Sequence, residues 1–264
     1  MNGVMWMGKV YLVGAGPGDA DLITVKGMKR IQQSDVILYD RLINAELLSY
    51  ANDTTELIYC GKSPNQHSLT QEEINHLLVM HATNNKVVTR LKGGDPFIYG
   101  RGAEEAQVLR KHGIPFEVVP GITSGAAAPA YAGIPLTHRD MSSSVTFVSG
   151  VGKNGQLSKE SWQQLAQINE TICIYMGVKN LPVICERLIH YGRDATTPIA
   201  LIHCGTTDKQ QTVTGTLADI VEKAVAIENP AMIVIGEVVR LREEIHWFEE
   251  KVTNRGVVSD VTFV

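Results

Sequence analysis

The chain has 264 residues, 44% of them hydrophobic and 20% charged, with a formal net charge of −4. Such a composition suits one large or two medium globular domains that bury a sizeable core. The acidic balance excludes a bulk field for nucleic acid or an anionic membrane, so an anionic ligand has to be met by a few placed cations.

The first half alternates apolar runs with helical patterns. Lys9–Val13 reads as a strand, and a helix is expected from about Leu22 to Ser34 with Asp21 as its cap. Val36–Tyr39 and Leu57–Tyr59 read as the next strands. Thr70-Gln-Glu-Glu73 is a capping box opening a helix with Ile74, Leu77 and Leu78 in its apolar stripe. Val87–Leu91, a helix near Ala103–His112 and Phe116–Val119 complete this half. Strands separated by helices predict a mostly parallel sheet with both faces covered.

The second half continues with strands at Val145–Ser149 and Thr171–Tyr175 and a helix around Trp162–Ile168 between them. Pro182 opens a helix reaching His190 and ending at Gly192, the favoured Pro-start, Gly-end arrangement. Ile199–Ile202, Thr212–Thr216 and Met232–Ile235 read as strands, and Leu217–Ala226 as a helix. The run Thr212-Val-Thr-Gly-Thr216 suggests antiparallel pairing, so this half is expected to hold a mixed sheet. The expected division is two α/β domains, 1–121 and 122–264, with the junction near Pro120-Gly121. The tail Asn254–Val264 carries no usable motif.

The four cysteines, Cys60, Cys173, Cys185 and Cys204, lie far apart with no C-x-x-C spacing, which argues against a zinc site. No metal is expected. No apolar run is long enough to span a bilayer and no signal-peptide pattern is present, so a cytoplasmic enzyme with reduced thiols is expected.

Val13-Gly-Ala-Gly-Pro-Gly-Asp19 follows the first strand, and Asp40 lies about twenty residues on, as in a dinucleotide-binding unit. The spacing argues against that reading. Counting from Gly14 and Gly16, the third glycine falls on Asp19, a carboxylate where a pyrophosphate should be welcomed. Pro17 removes a further backbone donor. A neutral or cationic ligand fits better, and S-adenosylmethionine is one: it has a sulfonium and no phosphate. Two low-bulk stretches, Lys92–Arg101 and Val119–Arg139, point to backbone pressed against a ligand. In the first, Gly93 and Gly94 offer carbonyls suited to a sulfonium methyl. Asp95 either accepts from the ligand's ammonium or holds its own loop in a turn.

Taken together, the ordered motifs resemble one family. They are Gly14-Ala-Gly-Pro-Gly-Asp19, Tyr39-Asp-Arg-Leu42, His67 with Gln71-Glu-Glu-Ile-Asn75, Gly93-Gly-Asp-Pro-Phe97, Gly100-Arg-Gly-Ala-Glu104, Pro120-Gly-Ile-Thr-Ser124, Ala128-Pro-Ala-Tyr-Ala-Gly-Ile-Pro-Leu-Thr-His-Arg139, Tyr175-Met-Gly177 and Gly205-Thr-Thr207. From about Gly8 to Glu250 the chain resembles the class III tetrapyrrole methylases, and within them the uroporphyrinogen-III C-methyltransferases. The resemblance implies two α/β domains with the active site in the cleft between them, and a homodimer. It implies methylation of uroporphyrinogen III at C2 and then C7, giving precorrin-2 and S-adenosylhomocysteine and feeding sirohaem and corrinoid synthesis. Cofactor contacts carry over to Pro17, Gly93, Gly94, Asp95, Ile98, Thr123, Ser124, Met176, Gly205 and Ala231. The segment Lys62-Ser-Pro-Asn-Gln-His67 departs from many relatives in lacking an arginine after the lysine, and the later steps of relatives fused to a dehydrogenase-ferrochelatase domain are not expected of these 264 residues.

The implied substrate is a polycarboxylate, so an acidic protein must grip it with local arginines, whose planar guanidinium matches a carboxylate. Arg41, Arg101 and Arg139 each sit in a motif loop and are the expected clamps. Glu104 lies one helical turn after Arg101 and is expected to orient it. An arginine is too basic to remove the proton lost after methyl transfer. Asp40 is the better electrostatic partner for the cationic ring and a candidate proton acceptor, with His138 behind it. The competing readings are a sibling methylase acting on another tetrapyrrole, a diphthamide precursor or RNA, an NAD-dependent dehydrogenase, and a non-catalytic tetrapyrrole binder. The charge balance disfavours RNA.

Overall fold

Sixteen of the eighteen helices and strands considered below begin or end within three residues of where the sequence pattern puts them, because the strands are short apolar runs and several helices carry caps. The computed structural model describes residues 8–61, 69–152 and 157–248. The motif position His67, the departure at Lys62 and the tail from Asn254 lie outside them. The chain divides after Thr123 into two compact units.

The first unit runs β1 (Lys9–Gly14), α1 (Val25–Gln32), β2 (Val36–Tyr39), β3 (Glu56–Tyr59), α2 (Gln71–Thr83), β4 (Val87–Lys92), α3 (Gly102–Lys111) and β5 (Phe116–Val119). The five strands form one sheet in the order β3-β2-β4-β1-β5. Every pairing in it is parallel. Alternation along β1 sends Val10 and Leu12 into a core under α2 and α3 with Leu78 and Leu109. Tyr11 and Val13 go to the other face, with Ile31 and Leu47. Each fully buried Leu or Ile stabilises the fold by roughly 1.5–3 kcal/mol, which is what holds a sheet covered on both sides.

The expected long helix from Leu22 to Ser34 is two pieces. Asp19 accepts the Asp21 N–H at 3.0 Å and caps a short 3-10 turn, and Thr24 accepts from Gly27 at 3.0 Å and caps α1. Asp21 is therefore not the cap; Thr24 is, because its side chain oxygen meets a free first-turn N–H where the chain re-enters helix. The Thr70 capping box on α2 forms as expected, with Glu73 returning a bond to the Thr70 N–H.

The second unit runs α4 (Ser124–Tyr131), β6 (Val145–Ser149), α5 (Lys159–Gln167), β7 (Thr171–Tyr175), α6 (Leu181–His190), β8 (Pro198–His203), β9 (Gln211–Thr216), α7 (Ile220–Lys223), β10 (Ala231–Ile235) and α8 (Arg242–Ile245). Its sheet has the order β6-β7-β10-β8-β9. Only β6 and β7 pair in parallel; β10 runs against both β7 and β8, and β9 against β8 as the Thr212–Thr216 pattern suggested. α5, α6 and α7 cover one face through Trp162, Leu165, Ile184, Leu188 and Ile220. The helix expected over Leu217–Ala226 shrinks to Ile220–Lys223, because Asp219 turns back to accept the Thr216 N–H at 2.7 Å. α4 is a helix despite Pro129 inside it, an element not placed from the sequence because its run of small residues carries no apolar stripe.

Glu117 on β5 is ringed by Lys9 at 2.9 Å, Lys26 and Arg30 at 3.6 Å. Hydrogen bonds from Lys26 and Lys9 pull its carboxyl down to about 2. An unfolded glutamate titrates near 4.3. The folded value is the lower one, so the stabilisation is complete above about pH 4.3 and disappears as pH falls through the folded value. Glu117→Gln should therefore cost about 1 kcal/mol at pH 7 in urea unfolding, with the deficit closing toward pH 2. A deficit independent of pH would assign the loss to packing instead.

Candidate active site

Three loops leave the carboxyl edge of the parallel sheet side by side, because β4, β1 and β5 are adjacent and run the same way. Open α/β sheets bind ligands at this edge. Gly14 ends β1 opposite Lys92, which ends β4. Beyond them the two chains join: the Gly16 N–H donates to the Gly94 carbonyl at 3.2 Å and the Gly94 N–H to the Gly16 carbonyl at 2.7 Å. The approach requires glycine. A Cβ on Gly14 would lie 2.5 Å from the Gly121 nitrogen and 2.7 Å from the Gly94 carbonyl oxygen. Asp95 locks the third loop, accepting the Phe97 N–H at 2.8 Å with Oδ1 and the Gly121 N–H at 3.0 Å with Oδ2. Of its two possible roles, holding the loop is the one seen directly. Pro17, Gly93 and Ile98 are partly exposed along the same edge.

Arg101 precedes α3 in a left-handed conformation, φ 58°, which an arginine adopts at a cost of about 1 kcal/mol. Its Nε and Nη2 donate to the Glu104 carboxylate at 2.9 and 2.7 Å, the pairing expected from the spacing. That bond pushes the guanidinium further above the ordinary arginine range, so it remains a cation. Backbone strain recurs around these loops. Among the described residues the non-glycine positions with positive φ are Asn85, Tyr99, Arg101, Met176, Cys204 and Thr206. All but Asn85 lie in or beside the motif loops, as strain held for function does.

Asp40 follows β2 at the same edge, with Arg41 exposed beside it. Behind Asp40 lies a buried polar cluster that the sequence reading missed. The Arg90 Nη2 donates to Asp40 Oδ1 at 2.6 Å, while Arg90 Nε reaches Glu105 Oε1 at 3.1 Å. Lys92 Nζ reaches the same Glu105 oxygen at 2.8 Å. The Arg90, Lys92 and Glu105 side chains are 2%, 3% and 0% exposed, against 30% for Asp40. Burial works to lower the Arg90 value, but the Glu105 and Asp40 carboxylates outweigh it and hold it above the ordinary range. Burial, helped by Arg90, pulls Lys92 below the ordinary lysine range. The signal was present: Arg90 and Lys92 alternate on one face of a strand whose faces are both covered.

In the second unit one sheet edge collects most of the remaining candidates. Ile233 lies opposite Ile174 and Ala231 opposite His203. This register places Ala231, Met176 just past β7, and Gly205 just past β8 at the same end. Met176 is 51% exposed, uncommon for a large apolar side chain. Tyr175 ties the start of α4 to this end, its hydroxyl accepting the Gly125 N–H at 2.9 Å. Ser124, partly exposed, and Thr123, buried, immediately precede that bond. A Cβ on Gly205 would stand 2.5 Å from the Ala128 Cβ, so glycine lets α4 lie flat here. Arg139 is not brought to this end. It is exposed in a turn closed by the His138–Ser142 bridge, and Ser142 bonds Thr171 at the start of β7.

Among the described residues no group of three or more His, Cys, Asp or Glu side chains is placed to hold a metal, and no helix is long and apolar enough to cross a membrane. Cys60, Cys173 and Cys185 are buried free thiols, and burial raises Cys173 to about 12.

Several known proteins resemble the chain over most of its length. The uroporphyrinogen-III C-methyltransferase of Priestia megaterium is 61% identical over 235 residues, 88% of this chain and 99% of that protein. The enzyme of the same name from Bacillus subtilis (strain 168) is 54% identical, covering 93% of this chain and 96% of its own length. A crystal structure of uroporphyrin-III C-methyl transferase from Thermus thermophilus, complexed with S-adenyl homocysteine, superposes with a TM-score of 0.77 at 40% identity, over 89% of this chain and all of that one. The sequence model described as Tetrapyrrole (Corrin/Porphyrin) Methylases matches residues 9–221, and the chain belongs to that family.

Proposed function

We propose that the chain transfers methyl groups from S-adenosylmethionine to C2 and then C7 of uroporphyrinogen III, giving precorrin-2 through precorrin-1. The observation that carries this reading is the coincidence of motif and topology. The glycine loops, Asp40 and two exposed arginines emerge from one edge of the parallel sheet, in a chain 61% identical to an enzyme named uroporphyrinogen-III C-methyltransferase. The same site argues against a dinucleotide, since Asp19 already caps the turn where pyrophosphate would sit.

The residues present fit the methyl donor. Low-bulk backbone at Gly93, Gly94 and Gly205, with Pro17, Ile98, Thr123, Ser124 and Ala231, would hold it, and the exposed Met176 side chain supplies an apolar wall for its adenosine. The donor supplies an electrophilic methyl on sulfur. Arg41 and Arg101 grip substrate carboxylates, Arg101 through the N–H groups that Glu104 leaves over. Arg139, exposed in its turn, is the third arginine for a substrate carboxylate. With the ring fixed, its pyrrole carbon lies in line with the methyl, and positioning supplies most of the acceleration. The new C–C bond forms as the S–C bond breaks, leaving a cationic iminium in the ring. Asp40 stands against that charge and accepts the proton that restores conjugation. The working form is a cytoplasmic homodimer.

Anaerobic incubation with uroporphyrinogen III and S-adenosylmethionine should yield a dimethylated product by mass spectrometry. Methylation of a later corrin alone would assign the chain to a sibling activity, and hydride exchange with NAD to a dehydrogenase. Met176→Ala should weaken S-adenosylhomocysteine binding about tenfold by calorimetry. Unchanged affinity would remove Met176 from the wall.

A further inference from the structure

The buried cluster behind Asp40 is costly as a stabilising device. Packed apolar side chains of the same volume often serve stability as well as or better than buried ion pairs. Here Glu105 Oε1 takes three donors: Arg90 Nε at 3.1 Å, Lys92 Nζ at 2.8 Å and Gln71 Nε2 at 3.2 Å. Its Oε2 is buried and accepts none from the described residues. Glu105 thus joins β4, α2 and α3 at one atom. The guanidinium it holds is pinned further, as Arg90 Nη1 donates to the Leu38 carbonyl at 3.4 Å. The remaining nitrogen of Arg90 reaches Asp40, whose side chain is partly exposed. Glu105 also sits one residue after Glu104, the partner of Arg101. One helical turn therefore fixes both the arginine that grips substrate and, through Arg90, the carboxylate that faces it.

We propose that Glu105 is a positioning residue for methyl transfer. Through Arg90 it aims the Asp40 carboxylate. This rests on the role given to Asp40 above. Glu105 touches no substrate; its effect passes entirely through neighbours whose geometry matters to within about an ångström, where misplacement costs about a hundredfold.

The test is a double-mutant cycle on the full chain, read by single-turnover formation of methylated product with thermal melting as the folding check. Glu105→Gln should lower kcat about tenfold to a hundredfold, with KM and S-adenosylhomocysteine affinity within about twofold of the parent. In an Asp40→Asn background the same substitution should add almost nothing. If the Asp40 variant is impaired and the two losses simply multiply, Glu105 is structural and this proposal falls while the role of Asp40 stands. If Asp40→Asn alone turns over normally, the role of Asp40 falls, and the proposal with it. A folded Glu105→Gln protein with normal kcat also overturns it. Should that variant not fold, Gln71→Leu, which removes one donor to Glu105 from a partly exposed position, takes its place. Its expected loss is about fivefold, absent in the Asp40→Asn background and present there if the proposal is wrong.

Discussion

Arg101→Lys is expected to cut turnover about a hundredfold while S-adenosylhomocysteine affinity stays within about twofold of the parent. The wild-type guanidinium spends Nε and Nη2 on Glu104 and keeps further N–H groups in the same plane for a substrate carboxylate. A lysine ammonium carries the charge but has no fork, so it serves Glu104 or the substrate in the required geometry, not both. Its longer hydration and free rotation also blur the ring's placement. Steady-state kinetics with calorimetry on the same preparation separates the two effects. Near-normal kcat would discard Arg101 as the clamp, and a collapse of cofactor affinity would move it to the donor side of the site.

Asp40→Asn should be equally severe, with a loss in kcat of about a hundredfold to a thousandfold, the range for removing one preorganised charge from a reacting centre. The asparagine keeps the shape and can still accept from Arg90, so binding of the methyl donor should change little. The substitution removes both the charge facing the iminium and the group that accepts the proton. It also leaves the 2%-exposed Arg90 with Glu105 as its one carboxylate partner, so some stability is lost as well. Product formation measured well below the melting transition separates the two. Full turnover would require another proton acceptor.

Local patterning made most of this fold legible. The capping box at Thr70, the apolar runs of the strands and the helix starting at Pro182 each state their element in a few residues, and each appears where it was expected. The failures share a cause, which is competition decided by neighbours not adjacent in sequence. Asp21 reads as the cap of one long helix, but the turn capped by Asp19 splits it and passes that role to Thr24. α4 carries a proline and few large side chains, so its helix depends on what lies against it, such as Tyr175 at its start. The motif arginines were noticeable because each stands in a motif loop. Arg90 and Lys92 were not, because a charged residue in a strand reads as solvent-facing until its helix partner, here Glu105 on α3, is known.

The carboxyl edge of the parallel sheet as the methyl-donor wall is tested most directly by a crystal structure with S-adenosylhomocysteine bound. The nucleoside and its tail should touch Gly93, Gly94 and Ile98, with Arg41 and Arg101 left open to a second ligand. A nucleoside bound instead at the amino edge, near Lys9 and Glu117, or one stacked over Arg41 and Arg101 themselves, would contradict it.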